Sequence, residues 1–429
     1  MRGIARCYDE LRAYCQGVPL IDCHDHSGTC GPKYTDPVMV VIAGYYHSEA
    51  TNCLSDKEAA VLGDSNRSID ERWPLVERAW KASCHTGYAH VTRRVLKKFY
   101  GADALTLDVL KSMVGRMPDY TDAAAFEAVL EEANIAARIL DIWPDLAAVL
   151  NGTLKLTPRG RLAISLPRFH GVRDYWSVQS NTGALDGRHV TSLDEYLDAC
   201  REIFAGCKKF GAVCFKDQCA YSRTLAFENP SRAAAEEIFN WFMADPRRSA
   251  GFPDAVKPLD DFLFHQFMRM ARELDLPVQI HTGHMAGIRN DIVKTNAIGL
   301  TSVIELHRDV HFDLFHANWP YAEEFVYLGK NFPNVTLDFC WANIIDPVYC
   351  QRLFQQILSS VPHSRVHAYG SDFGGNVDRA WAHADIARDN IAIALSGMVE
   401  IDYISLDDAK AVARDWMFEN PNRTFKLGL

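Results

Sequence analysis

The sequence predicts one α/β domain spanning residues 1–429 and built as a (β/α)8 barrel. Eight short apolar runs, rich in β-branched or aromatic residues, recur along the chain. Their hydrophobicity is nearly continuous, which is typical of parallel strands that are buried on both faces. Helical patterns lie between the later runs, and strands that alternate with helices predict βαβ units. The eight predicted strands are 19–24, 136–142, 161–167, 211–216, 277–281, 311–316, 334–339 and 365–370.

Helices between the later strands are predicted from capping residues and periodicity. Ser231 is a suitable N-cap for a helix over 232–243. Apolar residues recur with a period near 3.6 over 260–274. Pro320 stands at the start of a predicted helix over 321–330, where its missing N–H costs little.

The first two predicted strands are separated by about 110 residues, far more than one crossover connection needs. Helical stretches are predicted within this segment at 69–81, 92–99 and 105–117. Loops that follow barrel strands lie at the catalytic face. We therefore expect a large helical insertion, about 27–135, that lies over the barrel mouth. A small separate domain is the alternative, although no Pro/Gly/Ser-rich linker marks one.

Composition and charge exclude several function classes. The formal net charge is −10, which argues against a nucleic-acid or anionic-membrane partner. The sequence has no run of about 18 apolar residues and no apolar signal core at its start. Its twelve cysteines include no CxxC pair, so we expect mostly buried free thiols in a reducing compartment. These features predict a cytoplasmic protein that acts on a small molecule.

The most informative motif is His24-Asp25-His26, which ends the first predicted strand. Side chains alternate along a strand, so His24 and His26 point to the same face. Imidazole is the commonest metal-binding side chain near neutral pH. The pair therefore predicts half of a metal site.

The other half is predicted at later strand ends. The fifth predicted strand ends in His281, the sixth in His316, and the eighth leads into Asp372. Polar side chains at these positions are costly to bury without a partner. A divalent metal bound by His24, His26, His281 and Asp372 satisfies all four. Nitrogen and oxygen ligands without cysteine suit Zn²⁺, our first choice, and also Mn²⁺ or Fe²⁺.

Three further positions are candidates for substrate contact. Lys216 ends the fourth predicted strand, and it is either carboxylated and bridges two ions, or binds a substrate anion, or reaches solvent. Arg223 and Arg289 are candidates for a bidentate clamp on a substrate carboxylate. His284, three residues after His281, is either a surface residue or a substrate contact.

Four segments together resemble the amidohydrolase superfamily, and in particular its second amidohydrolase group. That group includes aromatic-acid decarboxylases, uronate isomerases and the hydrolase-like domain fused to glutamine synthetase relatives. The similarity runs from about residue 18 to the end of the sequence and is weakest over 30–135. The segments are Ile21-Asp22-Cys23-His24-Asp25-His26, Gln279-Ile280-His281-Thr282-Gly283, Phe315-His316-Ala317-Asn318 and Tyr369-Gly370-Ser371-Asp372.

The resemblance implies a role for each residue of this set. His24, His26, His281 and Asp372 would be metal ligands, and His316 a second metal ligand or a polarising acid beside the substrate. Two-ion members of the superfamily use a carboxylated lysine at the fourth strand, a position that Lys216 matches to within one residue. The resemblance is therefore compatible with a site for one metal ion or for two.

Three functions are compatible with this sequence. The first is a metal-dependent hydrolase of an amide, ester or lactone bond, with Asp372, His316 and Lys216 as the catalytic residues. The second is a lyase or isomerase, namely a decarboxylase or a uronate-isomerase-like enzyme acting on a carboxylate-bearing substrate. The third is a non-catalytic barrel. By analogy with similar barrels we also expect a homo-oligomer.

Overall fold

Eight parallel strands form the centre of the computed structural model, which describes residues 7–251 and 254–429. Each strand pairs with the next, from β1 to β8. After β8, the amide of Asp372 donates to the carbonyl of His24 at 2.8 Å, and the amide of Cys23 donates to the carbonyl of Tyr369 at 3.1 Å. These two bonds join the last strand end to the first strand, so the sheet forms the predicted barrel. The strands are β1 (Leu20–Asp25), β2 (Ile135–Leu140), β3 (Gly160–Ser165), β4 (Cys214–Asp217), β5 (Val278–Ile280), β6 (Phe312–Leu314), β7 (Val335–Asp338) and β8 (Val366–His367).

Helices surround the barrel and fill the long connection between β1 and β2. The α-helices are α1 (Tyr8–Gly17), α2 (Pro37–Ile42), α3 (Tyr46–Asn52), α4 (Asp56–Gly63), α5 (Ile69–Ser83), α6 (Gly87–Tyr100), α7 (Leu107–Met113), α8 (Ala123–Glu132), α9 (Leu146–Leu150), α10 (Pro167–His170), α11 (Tyr175–Thr182), α12 (Leu193–Phe210), α13 (Arg232–Met243), α14 (Lys257–Leu274), α15 (Thr301–Leu306), α16 (Ala322–Asn331), α17 (Ala342–Ile345), α18 (Pro347–Ser360), α19 (Val377–Glu400), α20 (Leu406–Arg414) and α21 (Asn420–Thr424).

Each of the eight predicted strands overlaps one observed strand. The fourth is displaced most, because β4 begins at Cys214 and not at residue 211. Gly211 instead ends α12 in a left-handed conformation, with φ +116° and its amide bonded to the carbonyl of Cys207. A glycine at this position is a common helix C-cap, so the turn takes the first residues of the apolar run.

Local capping explains where the helices begin. α13 has the predicted bounds, and its N-cap Ser231 accepts a hydrogen bond from the amide of Ala234. α14 begins at Lys257, three residues before the predicted start, with a proline in its first turn. α16 begins one residue after the predicted start.

The connection between β1 and β2 has its own hydrophobic cluster, formed mainly by buried residues of α2, α3 and α5–α7. Phe315, Trp341 and Ile344, which follow β6 and β7, are members of the same cluster. Ala382 and Ile386 of α19 belong to it as well. The connection is therefore packed against the carboxyl ends of the later strands, where a barrel carries its site.

All twelve cysteines are free thiols, and most of them are buried. Within residues 7–251 and 254–429, no helix is both long enough and apolar enough to cross a bilayer.

Candidate metal centre

The two histidines of the first motif converge with the aspartate that follows β8. The Nε2 atoms of His24 and His26 are 3.2 Å apart. Oδ1 of Asp372 lies 3.4 Å from Nε2 of His24 and 3.1 Å from Nε2 of His26. The first and last strands thus present three potential ligand atoms to one point.

The triangle formed by these atoms has the size expected around a tetrahedral ion. With metal–ligand bonds of about 2.0–2.1 Å, the ligand atoms of a tetrahedral zinc site lie about 3.3 Å from one another. Nδ1 of His26 donates to the carbonyl oxygen of Asp141 at 2.8 Å, which leaves its Nε2 free to bind in the neutral ring. The residues present therefore fit a divalent cation.

A second pair of histidines, His281 and His316, lies at the ends of β5 and β6. Nε2 of His281 donates to the carbonyl of His284 at 2.8 Å, and Nδ1 of His316 donates to the carbonyl of Cys340 at 2.9 Å. Because a carbonyl oxygen only accepts, the other two ring nitrogens are unprotonated when the rings are neutral. These nitrogens, Nδ1 of His281 and Nε2 of His316, face each other at 2.9 Å. Two lone pairs at that distance repel, and a cation beside them would offset the repulsion.

Asp372 joins the two pairs into one cluster. A ring nitrogen of His316, Sγ of Cys340 and a carboxylate oxygen of Asp372 lie within 4.8 Å of one another. The four predicted ligands and His316 are thus brought together at the carboxyl end of the barrel.

Lys216 also lies in this cluster, and the fold separates it from its neighbour Asp217. Nζ of Lys216 lies 4.2 Å from the ring centre of Phe315, and the residue is only 1% exposed, so it does not reach solvent. Asp217 is directed elsewhere, because its Oδ2 accepts a hydrogen bond from Nε2 of His170 at 2.8 Å. The fourth-strand residue of the cluster is therefore Lys216. No carboxylate of the described residues lies within ion-pair distance of its ammonium.

Burial keeps three of the four imidazoles neutral. It lowers the pKa of His24 and of His281 well below the ordinary value, with Lys216 and neighbouring imidazoles contributing. It lowers the pKa of His316 to about 4. Neutral imidazoles have the lone pair that metal binding requires.

His26 and Asp372 behave as a charge pair. Burial lowers the pKa of His26, but the hydrogen bond and charge of Asp372 outweigh it and raise that pKa to about 9. Burial raises the pKa of Asp372, but the bond to His26 and the charges around it lower it overall. The carboxylate is therefore ionised at neutral pH.

Several residues of the cluster have left-handed backbone conformations. The φ angles are +63° at His316, +61° at Trp341 and +54° at Asp372. Such conformations cost non-glycine residues about 1–3 kcal/mol each and persist only where the surroundings enforce them. The backbone after β6, β7 and β8 is thus held in an unfavourable form at the cluster.

Tyr45, from the connection between β1 and β2, supports this backbone. Its hydroxyl donates to the carbonyl of Asp372 at 2.5 Å. Its ring stacks on Trp341 with centroids 4.3 Å apart, and Trp341 contacts the ring of His316 at 5.2 Å. One side chain of the connection therefore touches both Asp372 and the ring that contacts His316.

The predicted substrate-binding residues occupy different environments. His284 lies between Trp319 and Trp341, with ring centroids 5.3 and 5.0 Å away, and burial lowers its pKa to about 4. Arg223 is buried in an ion pair with Asp261 of α14. Arg289 is an exposed side chain that pairs with Asp56 at 3.2 Å. The structure thus brings His284 next to the cluster, whereas both arginines already have carboxylate partners.

Sequence reasoning did not find two further members of the cluster. Asp141 follows β2, is buried, and offers a carboxylate oxygen within 4.8 Å of nitrogens of His24 and His26. Its Oδ1 has no hydrogen-bond partner among the described residues. Cys340 follows β7 in the same way. Asp141 comes directly after β2 and Cys340 two residues after β7, so extending the search for polar residues at strand ends to every strand would have found them.

The comparisons with known proteins agree with this geometry. Residues 248–427 match the family described as amidohydrolase. The chain is 24% identical over 437 residues to protein fluG of Emericella nidulans; the match covers 97% of this chain and 47% of that protein, so the chain spans about half its length.

Two solved structures share the fold across the whole chain. A uronate isomerase from Thermotoga maritima superposes with a TM-score of 0.77 at 15% identity, covering 99% of each chain. A protein described as a metal-dependent hydrolase from Lactobacillus casei superposes with a TM-score of 0.67 at 17% identity, again covering 99% of each chain. At these identities the likeness establishes the barrel fold.

The eight-stranded barrel and the family match over residues 248–427 agree with the resemblance carried by the four sequence motifs. Over residues 248–427 the chain is therefore similar to the amidohydrolase family.

Proposed function

We propose that the protein is a metal-dependent hydrolase that cleaves an amide, ester or lactone bond in a small molecule. The observation that carries this proposal is the triangle of His24 Nε2, His26 Nε2 and Asp372 Oδ1, with sides of 3.1–3.4 Å. When bound there, a divalent ion, with zinc as first choice, supplies Lewis acidity and lowers the pKa of a water molecule toward about 7.

Asp372 is the proposed proton carrier. Its carboxylate is ionised at neutral pH, because the hydrogen bond and charges of its neighbours lower its pKa, and a cation bound in place of the His26 proton would act in the same direction. It can accept a proton from the attacking water and deliver it to the leaving group.

His316 is proposed as a second metal ligand or a proton acceptor. Its Nδ1–H is already committed to the carbonyl of Cys340, so its neutral ring presents a lone pair to the cluster. A neutral ring with that lone pair does not donate a hydrogen bond to an oxyanion, which argues against the polarising role. Lys216 is then the remaining cation for a negative charge on the substrate or transition state.

Oxygen-18 labelling tests the proposal directly. The zinc-loaded enzyme is screened with lactones, N-acyl amino acids, uronates and aromatic acids in H2¹⁸O. Hydrolysis incorporates one labelled oxygen into the product. A substrate that is turned over without label would overturn the hydrolase proposal.

A decarboxylase or isomerase acting on a carboxylate-bearing substrate is the second candidate. The observation that favours it is the buried ammonium of Lys216, which has no carboxylate partner among the described residues and lies among the ligands. A substrate carboxylate would supply that partner. Release of carbon dioxide would identify a decarboxylase, and a shifted carbonyl without label would identify an isomerase.

A further inference from the structure

Exposure to solvent differs among the residues of the cluster. His24, Lys216, His281 and His316 are each at most 3% exposed, and Asp372 is 7% exposed. The side chain of His26, in contrast, is 40% exposed. His26 is therefore the most solvent-accessible of the predicted ligands.

Trp143 is linked to His26 through Gln218 and Asp141. With the Gln218 amide turned so that both of its ends are satisfied, Nε1 of Trp143 donates to the Gln218 side-chain oxygen at 3.2 Å and the Gln218 amide nitrogen donates to Oδ2 of Asp141 at 3.0 Å. The backbone carbonyl of Asp141 in turn accepts from Nδ1 of His26 at 2.8 Å. The indole is thus positioned relative to an exposed ligand through two side-chain hydrogen bonds and one backbone contact.

The conformation of Trp143 is unusual for an exposed aromatic residue. Its φ is +46°, a region that bulky residues rarely occupy, yet half of the residue is exposed to solvent. The one polar atom of its side chain is already bonded to Gln218, so any further contact of the side chain is made by its carbon atoms. An indole held this way loses little conformational freedom when a ligand stacks on it.

A second half-exposed ring, that of Tyr221, contacts the predicted ligand His281. Tyr221 belongs to the turn that follows β4, three residues after Gln218, and is 49% exposed. Its ring centroid is 4.7 Å from that of His281, and its hydroxyl accepts from the amide of Ala286 at 3.0 Å. The turn after β4 therefore fixes one aromatic ring through Gln218 and supplies another.

We propose that Trp143 and Tyr221 form an aromatic subsite for a planar ring of the substrate. The substrate class is then a small carboxylate that carries a planar, unsaturated ring. The carboxylate part of this inference rests on the second candidate function, in which Lys216 pairs with a substrate carboxylate, whereas the ring part rests on the two aromatic side chains alone. Trp143 is a specificity-determining residue, and Gln218 is a positioning residue that acts through it.

Binding of two matched acids tests the inference without requiring turnover. The probes are 2-naphthoate and its saturated counterpart decahydro-2-naphthoate, which share the carboxylate and the carbon number. Their affinities for the zinc-loaded enzyme are measured by calorimetry. Stacking on an indole is expected to favour the planar acid by about tenfold.

Three variants assign the preference to the subsite. Trp143→Ala is expected to weaken 2-naphthoate about tenfold and to change the saturated acid by less than about twofold. Gln218→Ala should weaken the planar acid by a smaller factor. Trp241→Ala is the matched control, because Trp241 is similarly exposed but lies on α13 against Arg248, and it should change neither affinity.

The outcomes separate the two proposals. Equal affinity of the wild-type enzyme for both acids, or an equal loss for both acids in Trp143→Ala, would overturn the aromatic subsite. A change of oligomeric state in Trp143→Ala with unchanged binding would also overturn it, because the ring would then belong to an interface between copies. If the wild-type enzyme bound no metal ion, the proposed function would be contradicted. The ratio of the affinities for the two acids would still test the aromatic subsite.

Discussion

At the scale of single residues, the site depends on a carboxylate that is held from several directions. Asp372 faces His24 and His26 through Oδ1, and its carbonyl accepts from Tyr45. Its amide donates to the carbonyl of His24 at 2.8 Å. Side chain and backbone of one residue thus connect the last strand to the first and to the connection between β1 and β2.

Removing a ligand from the triangle is expected to abolish metal-dependent turnover. His24→Ala leaves two of the three ligand atoms of the triangle, and Asp372→Asn removes its negative charge. We expect each change to lower kcat/KM by at least about 1,000-fold and to lower bound metal well below one ion per chain. Metal content by mass spectrometry and turnover with added Zn²⁺ measure both effects.

The matched control is His189→Gln, which changes an exposed histidine in the loop before α12. It should retain both metal and activity. Wild-type turnover in either ligand variant would reject the assignment of the site.

Tyr45→Phe tests the support of Asp372 separately from its ligand atoms. The phenyl ring keeps the stacking on Trp341, whereas the hydrogen bond to the Asp372 carbonyl is lost. Partners of this kind outside the ligand set typically contribute 10- to 100-fold, so we expect kcat or metal affinity to fall by about tenfold. Steady-state kinetics and competition with a metal chelator measure the loss.

Tyr46→Phe is the control for that prediction. Its hydroxyl bonds to Oγ of Ser83 within the same connection, away from Asp372. If Tyr46→Phe and Tyr45→Phe reduced activity equally, the effect would come from the stability of the connection and not from Asp372.

At the scale of elements, the turns after β5 and β6 place His281 and His316 together. Gly283, with φ +67°, packs against the backbone after His316. A Cβ atom at this position would lie 2.5 Å from the carbonyl carbon of Asn318 and 2.6 Å from the amide nitrogen of Trp319. The close approach of these two turns therefore requires glycine.

Gly283→Ala should disturb the second histidine pair. The added methyl meets backbone atoms that cannot rotate away, so we expect a loss of about 3 kcal/mol or more in the free energy of unfolding. Urea denaturation gives the stability, and metal content reports on the site. Gly152→Ala is the control, because its φ is +73° and its Cβ would meet nothing within 4 Å. If Gly283→Ala lowered the free energy of unfolding no more than Gly152→Ala, the turns after β5 and β6 would be able to move apart without loss of stability.

Strand ends were predictable from the sequence. A strand that is buried on both faces is a continuous run of apolar residues, and the run ends at the first polar residue of the site. His24, His281 and His316 were found in this way, and the structure places them in one cluster. The register of Lys216 against Asp217 was not predictable, because it depends on the partner His170 across the fold.

Long-range partners explain what the sequence left open. Tyr45 meets the carbonyl of a residue 327 positions later. Arg223 was a candidate for binding a substrate carboxylate, but Asp261 of α14 already pairs with it. Periodicity and spacing contain no information on either contact, because both depend on how the elements pack.

At the scale of the whole molecule, the connection between β1 and β2 shares a hydrophobic cluster with residues that follow β6 and β7. We therefore propose that it unfolds together with the barrel. Leu110 of α7 is fully buried in that cluster, and Leu110→Ala should cost about 2–5 kcal/mol.

Hydrogen exchange measures whether the loss is shared. In a cooperative unit, the slowest amides of β1 and of α6 lose protection by the same free energy in Leu110→Ala. Loss of protection confined to 27–134 would show that the connection is a separate folding unit. The matched change in the barrel core is Leu263→Ala, in α14. It should likewise lower the protection of the slowest amides of both β1 and α6.

Metal removal should destabilise the barrel as a whole, because its proposed ligands come from β1, β5 and the segment after β8. An ion that binds only the folded chain adds about 4 kcal/mol to the free energy of unfolding at 1,000 times its dissociation constant. We therefore expect a chelator to lower the urea midpoint of the wild-type protein. In Asp372→Asn the chelator should have little effect, since the triangle has lost its charged member. If the urea midpoint of the wild-type protein did not change after verified removal of the metal, a bound ion would not stabilise the contact between the first strand and the last.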